Sequence, residues 1–217
     1  MAFWEVILAV LAYIWHLILS WLNLFIAPIL NLELMWIIIP IWFSWFFAEF
    51  FQEKSGTSYG NAISNGVVPV FVGLDWTRYL VKLITAGELM WGWELAIKFF
   101  ICFIIFAYGL SVIIYGIKAR AFVHYFGRIR EITYILLMIT PLMYGVAELH
   151  GEFFLVIFLF FPIWYFVIEW IDKKIPDPLA VRKDREDTES GQPSPSFSQP
   201  PPQTSFPDKN PFPPFPQ

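Results

Sequence analysis

Six apolar runs, each close to the thickness of a bilayer, fill residues 3 to 172 almost without a break. Hydrocarbon offers no hydrogen bonds, so a run of this kind must satisfy its own backbone, and a helix is the form that does so over this length. The runs lie at residues 3–26, 34–51, 61–79, 94–117, 132–149 and 153–171. The fourth spans ~36 Å as a helix, enough to cross a ~30 Å hydrocarbon core with some tilt. The expected fold is therefore an all-α integral membrane bundle of six transmembrane helices over residues 1–175.

Composition agrees. Hydrophobic residues make up 58% and charged residues 15%, against roughly 45–50% and about 25% in soluble domains. Aromatic residues reach 20%, with 11 Trp and 24 Phe, and Trp and Tyr favour the headgroup zone. The single cysteine, Cys102, lies inside an apolar run and excludes an intrachain disulfide. The first run lacks a basic leader and a small-residue cleavage site, so it reads as a retained span.

Charge orients the bundle. Lys118, Arg120, Arg128 and Arg130 follow the fourth run, and Lys173 and Lys174 follow the sixth. Glu148, His150 and Glu152 join runs five and six without a basic residue. Positive residues stay on the cytoplasmic side, so both basic stretches are expected inside, together with both termini. Arg78 and Lys82 then fall outside, against the rule. That exception concerns the third run, which Gly60, Gly66, Pro69 and Gly73 interrupt and Asn61, Asn65 and Asp75 dilute. Residues 64–73 are open to a re-entrant reading, with residues 74–90 as an interfacial amphipathic helix; that version has five spans and termini on opposite sides.

After Asp172 the composition changes. Residues 176–217 hold 12 of the 17 prolines and a mixed-charge stretch over 181–189. Such a segment buries too little apolar surface to offset its ordering entropy and is expected to be a disordered cytoplasmic tail with polyproline II character. Phe197, Phe206, Phe212 and Phe215 stand among its prolines, a pattern suited to docking in an aromatic groove of a protein partner, or else a solubilising tail that binds nothing.

Ionisable and polar residues at membrane depth supply the candidate sites, because charge is costly there. His16 lies mid-way along the first run, as a relay or ligand contact, or as a neutral imidazole bonded to a neighbour such as Ser20. Glu49 sits a turn from the end of the second run, facing a cavity or reaching the headgroups. Asn65 and Asp75 flank the third run's glycines: freed backbone would mark a transport site, whereas close helix packing would have Asn65 bonding across the interface. Glu148, His150 and Glu152 are weak candidates for a metal site, with a solvated turn as the plainer reading. Glu94 and Lys98 form a favourable i, i+4 pair. Gly109 and Gly116, a heptad apart, mark a packing face within the chain or between copies in a homo-oligomer.

No P-loop, dinucleotide fingerprint or nucleophile elbow occurs, and no cofactor is implied. The soluble part is short and nearly charge-balanced, which speaks against nucleic acid as a partner. The expected function is a non-enzymatic structural or interaction protein of the bilayer that recruits partners through its helices and tail. The alternative is a small oligomeric transporter or channel with its site at the third run.

Overall fold

A computed structural model describes residues 2–53, 56–176, 178–179 and 182. The chain divides into two units, Met1–Asp177 and Pro178–Gln217. The expectation of a disordered tail over 176–217 falls almost wholly outside the described residues.

All regular structure among the described residues is helical: α1 Ala2–Leu30, α2 Leu32–Phe47 running into a π-helical turn Ala48–Gln52, α3 Tyr59–Thr85, α4 Trp93–Ile117, the short α5 Val123–Phe126, α6 Ile129–Met143 and α7 Gly151–Asp172. The boundaries follow local chemistry. Asn31 caps α2 by accepting from the Glu33 amide at 3.0 Å, and Ser58 caps α3 by accepting from the Asn61 amide at 3.1 Å. Gly87 ends α3 at φ +73, with Gly87 and Glu88 amides bonding back to Ile84 and Leu83, a left-handed closure that suits glycine. Pro28, Pro40, Pro69, Pro141 and Pro162 all lie inside helices, as membrane helices tolerate better than soluble ones.

Four helical stretches are long and apolar enough to cross a membrane: Phe3–Leu30, Leu32–Gln52, Trp93–Ile117 and Gly151–Asp172. They correspond to the first, second, fourth and sixth runs. The other two runs depart from expectation. The third is one uninterrupted helix, α3, that passes straight through Gly66, Pro69 and Gly73. The re-entrant dip and the separate interfacial helix over 74–90 are thereby corrected. The reason is α4, against which those glycines pack. The fifth run is shorter than expected. Gly145, at φ +71, turns the chain just after Met143, and residues 144–150 form the connection. As 15 residues, α6 measures ~22 Å, short of a ~30 Å hydrocarbon core. Twelve of its 15 residues are buried, so it is a central core element wrapped by others.

Glycine sets the α3–α4 distance. A Cβ on Gly109 would lie 2.6 Å from the Gly66 carbonyl oxygen and 2.8 Å from Pro69 Cγ, and one on Gly66 would lie 3.0 Å from the Gly109 carbonyl. The two backbones touch at a point where no side chain fits, the small-residue packing of membrane helices. Elsewhere aromatic rings join the helices. Trp21 of α1 stacks on Phe160 of α7, Phe25 stacks on Trp164, and Trp164 also meets Trp45 of α2 and Tyr134 of α6. His16 meets Glu152, so the contacts advance in the same sense along α1 and α7. Strict up-and-down alternation of six spans would reverse that order.

Candidate functional site

The most deeply buried charges form one cluster where the π-helical turn, α6 and α7 meet. Glu53 donates its amide to the Ala48 carbonyl, five residues back, at 2.9 Å, and such π-turns recur at functional positions in helices. The wider turn sets the angular offset between Glu49 and Glu53. Glu49 turns toward α6 and α7, where Arg130 Nε donates to its Oε1 at 2.8 Å and the second guanidinium nitrogen Nη2 donates to the same oxygen. Arg130 Nη1 donates to Glu169 Oε2 at 2.8 Å. Each of the three guanidinium nitrogens thus meets a carboxylate, and the plane lies 4.9 Å from the Tyr165 ring centroid. Glu49 and Arg130 are 5% and 2% exposed. The bonds to Glu49 and Glu169 offset the cost of burying the Arg130 charge.

Glu53 serves a second branch. Its Oε2 accepts from Thr57 Oγ1 at 2.8 Å and from the Ile129 amide at 3.5 Å, so it also answers an orphan donor in the first turn of α6. Its Oε1 accepts from Asn65 Nδ2, which also donates to the Gly127 carbonyl at 2.8 Å. Asn65 is 3% exposed. It thus joins α3 to the end of the π-helical turn and to the segment before α6. Glu131, beside Arg130, is partly buried.

The sequence candidates therefore separate. Asn65 and Glu49 enter this one cluster. Asp75 lies at the far end of α3, where Arg78 Nη2 donates to it at 2.7 Å and Tyr144 Oη donates at 2.7 Å. Those groups line a cleft of about 170 Å³ with Glu33 and Lys82, themselves paired at 3.1 Å. His16 approaches Glu152 at 3.5 Å, and both line a cavity of about 500 Å³ that also receives Glu148 and His150. Among the described residues no group of three or more His, Cys, Asp or Glu is arranged to hold a metal ion.

Arg130, Glu53 and Glu169 are the members that sequence reasoning missed. Arg130 reads in the sequence as one more positive loop charge. Glu169 carried the available signal, being an acid in the last turn of an otherwise apolar final run. The cluster binds α2, α6 and α7 together at one end and ties α3 to them through Asn65. Its chemistry is that of a latch, because its donors and acceptors are spent on one another.

No family model, curated protein or solved structure matches the chain.

Proposed function

We propose that the chain is a multi-pass membrane protein of non-enzymatic, structural or interaction type, a latched helical bundle that recruits partners through its lipid-facing helices and its residues 176–217. The observation that carries the reading is α1. Its most apolar window is only 6% buried, and Phe3, Trp4, Leu8 and Trp15 project from it with nothing over them. A helix that is hydrophobic all round needs lipid or protein about it. Alkaline washing of vesicles that carry the full chain tests this directly: retention is the expected result, and release into the wash would overturn it.

Six crossings remain the proposed arrangement, with the short, enclosed α6 as an inner crossing and α3 partly facing outward through Phe71 and Leu74. Arg130 and Lys173 both reach Glu169, which supports one common side for the two basic stretches, and by the positive-inside tendency that side is cytoplasmic. Six alternating crossings bring the N-terminus to the same side. The same-sense contact of α1 with α7 favours instead five crossings with opposed termini, in which one helix other than the continuous α3 fails to cross. Thiol labelling of Ala2→Cys and Ser196→Cys in a Cys102→Ser background distinguishes them: labelling from one side of sealed vesicles supports six crossings, and labelling from opposite sides supports five.

Recruitment through the tail is tested by mild solubilisation of the full chain and of a chain ending at residue 175. Partners recovered with the first and absent from the second, at unchanged detergent sedimentation, are expected; identical recovery would remove the tail from the reading. The transport alternative rested on freed backbone within residues 61–79. α3 is continuous there, so no specific feature of that segment favours it.

A further inference from the structure

The cavity between α1 and the connection joining α6 to α7 has a two-sided lining. Glu148, His150, Glu152 and His16 stand on its polar rim. Leu24, Ala27, Leu30, Pro141 and Val156 form its apolar part. No Lys or Arg lines it, and Glu148 has no cationic partner among the described residues. Glu152 accepts from Tyr13 Oη at 3.0 Å, which fixes its direction.

A second observation converges on the same space. Between Val6 and Leu30 the polar residues of α1, apart from its aromatics, are His16, Ser20 and Asn23. Spaced by four and three, they occupy one helical face, and all three line the cavity. Polar groups on an otherwise apolar helix are costly toward lipid; here they line one open cleft, with His16 and Asn23 exposed. At about 500 Å³ the cleft is of the size that ordinary small-molecule sites have.

We infer that this cavity binds an amphiphile with a primary ammonium head. Glu148 and Glu152 supply negative charge for the head, and ring nitrogens of His16 and His150 stand beside them as further polar partners. Ser20 and Asn23 can donate to an ester or phosphate oxygen next to the head, and the apolar wall takes the chain. Two sources share this chemistry, an aminophospholipid such as phosphatidylethanolamine and a free long-chain amine. The inference rests on the membrane placement proposed above only for access of a lipid; the alkaline wash of wild-type vesicles reads that placement separately.

Native mass spectrometry of the full chain in detergent tests the inference, with dodecylamine, dodecyltrimethylammonium and dodecanol as probes. One retained equivalent of dodecylamine is expected, with dodecanol and the quaternary analogue held at least tenfold more weakly. The double variant E148Q/E152Q should lose the amine at least tenfold. Val146→Trp, at the exposed rim of the cavity, should block it without altering any charge. Equal retention of amine and alcohol, or an unchanged amine in both variants, overturns the inference. Retention by nanodisc-purified protein of phosphatidylethanolamine over phosphatidylcholine and phosphatidylglycerol identifies the lipid source, and dodecylamine retention without it identifies the free amine; either supports the ammonium class.

Discussion

Ala119 carries the one positive φ of a non-glycine residue among the described residues, +48, in the closure that ends α4. Its amide and that of Arg120 bond back to Gly116 and Tyr115, so the turn is held although an L side chain there is strained by roughly 1–2 kcal/mol. Ala119→Gly relieves that strain at some entropic cost and is expected to gain about 0.5–1 kcal/mol, read as a higher unfolding midpoint in detergent.

At the scale of elements, the latch and the glycine contact make opposite demands. Removing one partner of a buried pair leaves an uncompensated charge and costs about 3–5 kcal/mol. Arg130→Ala should lower stability by that order, while the joint change Arg130→Met with Glu49→Leu should recover most of the loss, because Glu169 still has Lys173 at 3.4 Å. Denaturant unfolding in micelles compares the two; a joint variant no better than the single one would show that the charges, not the packing, hold the elements. For α3 and α4 the threat is added volume. Gly109→Ala places a methyl against backbone at 2.6 Å and is expected to cost about 2 kcal/mol. Gly151→Ala, whose Cβ meets nothing within 4 Å, is the matched control and should be neutral.

Across the whole molecule, helices differ in how far they belong to the bundle. α6 is enclosed on nearly every side, whereas no side chain of α1 from Phe3 to His16 is buried. Deleting residues 2–12, which stops short of the Tyr13 bond to Glu152, should shift the melting temperature by less than about 2 °C, by analogy with surface changes of within ±0.5 kcal/mol. A larger fall would mean that the free half of α1 is held by a second copy or a partner in the purified state.

The apolar length of a run is a local property, and from it the helices of runs one, two, four and six were legible nearly to their ends. The polar dilution of the third run was legible too, but not its meaning: only the approach of α4 decides that Gly66 and Gly73 serve packing and that the helix does not break. Burial of α6 depends on what surrounds it, so the fifth run looked like the other spans. The same limit applied to the sites. Glu49 and Asn65 were visible as costly polar groups at depth, yet Arg130 looked like a loop charge until α6 carried it between Glu49 and Glu169. His16 and residues 148–152, more than 130 positions apart in the chain, meet at one cavity because α1 lies against the start of α7. One chain of residues states which segments must avoid water; which charges then find each other is settled by pairwise distances between helices, and no periodicity along the chain encodes those.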